Sequence, residues 1–217
     1  NDSLIAQPKV TVYFNGKLIH DNVSIKKVWG GPFSGLDGGN KNARSSRYSG
    51  LSLSEDGLTV AIGAYQGATS SAGDVRVFAY SEGSWSQVGS QINGPSSNYY
   101  FGTSIALNGA GDRIVIGSYN SNRTYCYSFN GSSWSQMGSY LSGSTYFGWS
   151  VDMNDAGDMI AVSEPYYYSQ RGYVRTYTWS GSSWSQFGST STLGENYSDY
   201  TGYGDGNTGR AISLNAA

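Results

Sequence analysis

The chain is poor in the residues that carry most enzyme and metal chemistry. Its 217 residues include one cysteine, one histidine and four prolines. A single cysteine, Cys126, excludes an internal disulfide. It sits in the strand-like alternation Thr124-Tyr125-Cys126-Tyr127-Ser128-Phe129 and reads as a buried free thiol, because a reactive one wants a basic neighbourhood. The lone histidine, His20, is far from it along the chain and reads as a strand residue. Charge is scarce at 13%, with a net charge of −2, so nothing electrostatic favours nucleic acid or an anionic membrane. No apolar run approaches the roughly 20 residues that span a bilayer. Lysine is absent beyond Lys41: all five lysines and the histidine lie in the first 41 residues, which marks a boundary near residues 40–44. No Ser/His/Asp set, Cys/His metal spacing or phosphate-cradling loop stands out. Gly202-Tyr203-Gly204 has no strand–helix context. The chain is therefore expected not to be an enzyme, although carboxylate pairs brought together in space stay open.

What is present is glycine, tyrosine and repetition. The tripeptide Trp-Ser-Gln occurs at Trp85, Trp134 and Trp184, 49 and 50 residues apart, each time followed by one residue and a glycine. Phe101-Gly102 and Phe147-Gly148 recur in step, as do Ala110-Gly111-Asp112 and Ala156-Gly157-Asp158. A fixed period near fifty residues signals a repeat architecture. Each unit reads as four short strands joined by Gly/Ser/Asn turns. In the third unit they are Gly148 to Met153, Met159 to Val162, Gly172 to Trp179 and Ser183 to Phe187. The second strands are mostly apolar (Val60 to Ile62, Ile114 to Ile116, Ile160 to Val162), as in sheets buried on both faces. The fold class is all-β, a β-propeller of four-stranded blades. Blades are expected over 44–92, 93–141 and 142–191, with a partial fourth over 192–217. Residues 1–43 form a separate N-terminal segment, in which Asn15-Gly16 between two β-rich runs predicts a hairpin.

The Phe-Gly pairs, with Gly63-Ala64-Tyr65, Gly117-Ser118-Tyr119 and Ser163-Glu164-Pro165 at matching places, resemble FG-GAP-type repeats of integrin-alpha-like propellers over about residues 44–217. That resemblance implies a binding protein, and calcium in loops between the first and second strands. Here only Asp152, Asn154, Asp155 and Asp158 offer such a set, and the alternative is a plain turn. Residues 9–39 are similar to a hairpin of the 3-keto-disaccharide hydrolase-like jelly-roll domain. That would make the chain a junction within a longer secreted protein. The start at Asn1 fits processing or an internal position, and the sequons at Asn22, Asn122, Asn130 and Asn196 are compatible with secretion.

Strand parity places the loops between second and third strands, and those between units, on one face. These loops carry Tyr65, Tyr119, Tyr166, Tyr167 and Tyr168, and Tyr99, Tyr100, Tyr146, Tyr197, Tyr200 and Tyr203. Tyrosine presents an apolar ring and an orienting hydroxyl at low entropic cost. The expected function is a non-catalytic extracellular or cell-surface module, adhesive or carbohydrate-binding, whose partner is a carbohydrate or protein surface. The alternatives are a structural subunit of a fibre or surface layer and a fragment of a secreted glycoside-acting enzyme. No cofactor is expected beyond the calcium set. Ala211 to Leu214 matches a first strand, so a fourth sheet is expected, completed by the N-terminal hairpin, by a second copy, or by more chain. Self-association through that incomplete blade is the further partner expectation.

Overall fold

Runs of β-branched and aromatic residues punctuated by Gly, Ser and Asn form antiparallel strands throughout this computed structural model. It describes residues 9–14, 17–24, 50–66, 71–165, 172–192 and 212–214. At the N-terminus β1 (Lys9–Phe14) and β2 (Lys17–Ser24) form a two-stranded sheet. Phe14 faces Lys17 across the two-residue Asn-Gly connection, the spacing a tight hairpin requires.

Three blades follow. The first orders β3 (Leu51–Leu53), β4 (Thr59–Ala64), β5 (Asp74–Ser81) and β6 (Ser84–Gln87) from the inside out, with β7 (Ile92–Asn93) also paired to β5. The second orders β8 (Ser104–Leu107), β9 (Arg113–Ser118), β10 (Arg123–Phe129) and β11 (Trp134–Gln136), with β12 (Leu141–Ser142) also on β10. The third orders β13 (Val151–Met153), β14 (Met159–Glu164), β15 (Tyr173–Trp179) and β16 (Trp184–Thr192). The chain is all-β, with propeller blades of the expected order.

The Trp-Ser-Gln-x-Gly motif explains the extra short strands. Its glycine takes φ of 68°, 68° and 69° at Gly89, Gly138 and Gly188, a left-handed conformation that suits glycine. The glutamine amide then donates to that glycine's carbonyl, at 3.0 Å from Gln87, 2.9 Å from Gln136 and 3.3 Å from Gln186. The outer strand kinks there. In the first two blades it resumes as β7 and β12, whereas in the third β16 runs through with a register shift opposite Val174 and Thr176. Boundaries drawn at 92/93 and 141/142 thus cut strands that belong to the preceding sheet.

Blades pack through unequal faces. Ala61, Val75 and Val77 of the first meet Ile105, Leu107, Ile114 and Ile116 of the second. Ala106, Val115 and Cys126 of the second meet Val151, Met153, Ile160 and Val162 of the third. The middle strand β9 is buried on both faces, with Ile114, Val115 and Ile116 fully covered. The Phe-Gly pairs lock these interfaces. Phe101 and Phe147 are fully buried, and losing either ring costs about 3–5 kcal/mol. Gly102 and Gly148 take φ of 85° and 87°, and each brings its carbonyl down on a glycine of the preceding blade. A Cβ on Gly63 would lie 2.1 Å from the Gly102 oxygen, and one on Gly117 would lie 2.2 Å from the Gly148 oxygen.

The turns between first and second strands are held by their own side chains. Asn154 Nδ2 donates to Asp158 Oδ1 at 2.9 Å, and its Oδ1 accepts from the Met159 N–H at 2.9 Å. Asn108 and Asp112 repeat the arrangement at 2.8 Å. Beyond the third blade, Ile212–Leu214 meets β13 where the Leu214 N–H donates to Asp152 Oδ2. This stretch has no assigned strand pairing, and Ala211 lies outside the described residues. The hairpin β1–β2 pairs only with itself among the described residues, so it does not supply the missing strands of a fourth sheet here.

Candidate functional site

Each of the first two middle strands ends on a tyrosine: Tyr65 follows β4, and Tyr119 follows β9 in a short 3-10 turn over Tyr119–Ser121. The loops entering the second and third blades carry Tyr100 and Tyr146 immediately before the Phe-Gly pairs. Both tyrosines hold positive φ, 56° and 64°, which is uncommon outside glycine and stores strain of about 1–3 kcal/mol. The loops hold them there by hydrogen bonds. The Tyr100 N–H donates to the Ser71 carbonyl at 3.3 Å, and the Tyr146 N–H to Asn122 Oδ1 at 2.7 Å. With Phe101 and Phe147 fixed inward, the preceding ring is turned to the loop face.

The rings meet in a row across blades. Tyr65 and Tyr100 centroids are 5.5 Å apart at 79°, and Tyr100 and Tyr119 are 5.9 Å apart at 69°. Tyr119 then touches Tyr146 at 5.6 Å and Trp149 at 4.8 Å, and these two touch each other at 5.7 Å. Such tilted and edge-on pairs are favoured by ring quadrupoles. Tyr65 is buried at the base of the row, while Tyr100, Tyr119, Tyr146 and Trp149 are half-buried. At the outer side of the same loops the Arg123 guanidinium lies 4.2 Å from the Tyr140 ring centroid and 5.3 Å from that of Tyr99. It also donates to the Tyr99 hydroxyl at 3.0 Å. The row offers apolar faces and hydroxyls, and Tyr99, next to Tyr100 in the chain, holds a cation.

Of the tyrosines singled out in the sequence, the structure joins Tyr65, Tyr100, Tyr119 and Tyr146 in the row and sets Tyr99 against Arg123. Tyr166, Tyr167, Tyr168, Tyr197, Tyr200 and Tyr203 lie outside the described residues. Trp149 and Arg123 were missed. An aromatic directly after a Phe-Gly pair was a usable signal for Trp149. Arg123 carried none, because Tyr99 and Tyr140 reach it from loops distant in the sequence.

Two carboxylates are buried near these loops. Glu164 ends β14 with no exposure. Its Oε1 lies 2.6 Å from Arg175 Nη2, and its Oε2 accepts from the Ser144 N–H at 2.8 Å. Asp74 opens β5, also buried, with Arg76 Nε 3.5 Å from Oδ1 and no hydrogen bond to either oxygen among the described residues. Burial pushes the Asp74 carboxyl above the usual aspartate range, and Arg76 pulls partly the other way. For calcium, the sequence offered Asp152, Asn154, Asp155 and Asp158. Asp152 accepts from Leu214, Asn154 and Asp158 bond to each other, and Asp155 is exposed. No group of three or more His, Cys, Asp or Glu converges among the described residues.

No protein-family model and no curated protein matches this chain. Solved structures do resemble it in fold. Two are provisionally named 6-phosphogluconolactonases, from Bacteroides uniformis and Bacteroides fragilis. They share 10% and 12% identity with it, each at a TM-score of 0.48. The alignments cover 65% and 66% of this chain but only 40% and 38% of those proteins. Such likeness concerns the fold alone. The reading of FG-GAP-type repeats is corrected by the family comparison, in which no family model matches. With that family falls the ground for an adhesive, secreted module, and the jelly-roll resemblance of residues 9–39 likewise finds no match. The expectation that the chain is not an enzyme, drawn from the missing catalytic set, is corrected too: the similar structures carry the names of enzymes.

Proposed function

We propose that the aromatic row is the substrate-contacting surface of a carbohydrate-acting propeller. The observation that carries this reading is the continuous contact of Tyr65, Tyr100, Tyr119, Tyr146 and Trp149 across three blades, on loops held in strained conformations. Rings pre-set by packing bind the apolar face of a sugar at little entropic cost, and their hydroxyls orient it. Arg123, braced between Tyr99 and Tyr140, suits a carboxylate or phosphate on the sugar. The similar structures' names mention a phosphorylated sugar lactone, which makes sugar acids, sugar phosphates and aldonolactones the first compounds to try.

Saturation-transfer NMR with that panel, alongside neutral sugars, tests binding, and pH-stat hydrolysis of the lactones tests turnover. The expected result is contact signals from an acidic sugar that disappear in Tyr119→Ala, and weaken in Arg123→Gln, in chains with unchanged circular dichroism. Absence of binding by the parent, or full binding by Tyr119→Ala, would refute the reading.

A further inference from the structure

Asparagine is followed by glycine at Asn15, Asn93, Asn108 and Asn130. At such a step the next peptide nitrogen is within reach of the side-chain amide carbon, and glycine puts no side chain in the way. Three of the steps lie among the described residues, and the fold treats them differently. Asn108 is buried. Its amide is tied to Asp112 and Arg113, and the Gly109 N–H donates to the Asp155 carbonyl at 3.1 Å. Asn93 is exposed, but the Gly94 N–H donates to the Gly73 carbonyl at 2.8 Å. A Cβ on Gly94 would lie 2.3 Å from the Ala72 oxygen, so that peptide is clamped against the neighbouring chain. Asn130 is exposed and opens the turn between β10 and β11. The Gly131 N–H makes no hydrogen bond among the described residues, and a Cβ on Gly131 would meet nothing within 4 Å.

The Asn130 side chain folds back over Gly131. Its Oδ1 accepts from the Ser132 N–H at 3.0 Å, the Ser132 hydroxyl at 2.9 Å and the Ser133 N–H at 2.9 Å. These donors surround the oxygen that gains negative charge when the amide carbon is attacked. We propose that Asn130 is a site of self-deamidation, in which the Gly131 nitrogen attacks the Asn130 amide carbon. The new N–C bond closes a cyclic imide, the Cγ–Nδ2 bond breaks, and Nδ2 leaves as ammonia with the proton given up by the Gly131 nitrogen. Water then opens the imide at either carbonyl, giving aspartate or isoaspartate. The only other reactant is water. The turn itself does not need asparagine. In the third blade Ser180 holds the same place before Gly181, which shares the φ of 95° of Gly131, and the Ser180 hydroxyl oxygen accepts from the Ser183 N–H at 3.2 Å. Conversion adds a negative charge to a surface turn that strand direction places on the face opposite the aromatic row. The isoaspartate product also lengthens the backbone between β10 and β11 by one carbon.

Peptide mapping by mass spectrometry tests the proposal, with the folded full chain sampled over days in mildly alkaline and mildly acidic buffer. The expected result is a gain of one mass unit at Asn130, with isoaspartate among the products. It should be faster in the alkaline sample, because the attacking nitrogen must lose its proton. In the folded chain Asn130 should convert at least about tenfold faster than Asn93 or Asn108, whose reaction waits on local opening. In urea, which frees all three glycine N–H groups, the rates should converge. Asn130→Ser should abolish the conversion at this turn and leave circular dichroism unchanged. Asn130 that stays an amide in the folded chain while it converts in urea overturns the proposal. So does folded-state conversion of Asn93 or Asn108 at the rate of Asn130.

Discussion

The Glu164–Arg175 pair sets the clearest demand on the account of the third blade. Glu164 has no exposure and Arg175 is about one-fifth exposed, and their charged atoms are 2.6 Å apart. Glu164 Oε2 is occupied by the Ser144 N–H, and the Arg175 guanidinium stands 5.9 Å from the Phe147 ring centroid. The pair therefore ties the middle strands to the loop that enters the blade. Arg175→Met keeps much of the volume but strands a carboxylate in the interior, and breaking a buried pair this way costs about 3–5 kcal/mol. For a chain of this size that corresponds to a fall of roughly 6–20 °C in melting temperature. Glu164→Gln/Arg175→Met removes both charges and leaves an amide that still accepts from Ser144. It should recover most of the loss, because the desolvation cost of the pair goes with it. Urea denaturation followed by tryptophan fluorescence measures all three chains. A loss below about 1 kcal/mol in Arg175→Met, within the range of an exposed pair, would refute the reasoning. So would a double variant no more stable than the single.

Other consequences follow from single contacts. Gly117→Ala places a Cβ 2.2 Å from the Gly148 carbonyl and should lower stability by about 1–3 kcal/mol or more in the same assay, whereas Gly131→Ala meets no neighbour and suffers only from its φ of 95°. Burial pushes the Cys126 thiol far above its ordinary value, so Ellman's reagent at pH 8 should react with it only as the chain unfolds; prompt reaction of the native protein would contradict its placement. Asp74 has a folded-state value raised by burial, so it stabilises the fold fully only below about pH 4 and loses that contribution as pH rises. Asp74→Asn, which does not ionise, should therefore gain on the parent between about pH 4 and pH 7, read as a shift in urea midpoint.

The sequence disclosed what is periodic and hid what is not. Blade order and the period of Trp-Ser-Gln-x-Gly were legible because each unit repeats its turn chemistry. The kink at Gly89 and Gly138 was not, since only the positive φ reveals that the outer strand resumes as β7 and β12. Phe101-Gly102 misled at the level of family. A buried ring followed by a left-handed glycine is what close approach of two blades demands, so the pair marks a packing solution rather than one lineage. The link from Tyr65 through Tyr100 to Tyr119 followed from parity, because strand direction alone brings those loops together. Arg123 between Tyr99 and Tyr140 joins a strand to two loops, and Glu164 against Arg175 joins two strands, and no spacing rule sets either meeting. Leu51 is half-exposed where Ile105 is buried, a difference likewise invisible in sequence, since both positions read as apolar first-strand residues.

The central claim is that the row of rings contacts a carbohydrate. Isothermal titration of an acidic sugar into the parent chain, Tyr119→Ala and the distant control Trp85→Phe tests it most directly. Tyr119 touches Tyr100, Tyr146 and Trp149, so its removal breaks the row at its centre. The account predicts saturable binding by the parent and by Trp85→Phe, and affinity at least about tenfold lower in Tyr119→Ala, a loss of about 1.4 kcal/mol. Equal affinities in all three chains, or no heat in the parent, would contradict it.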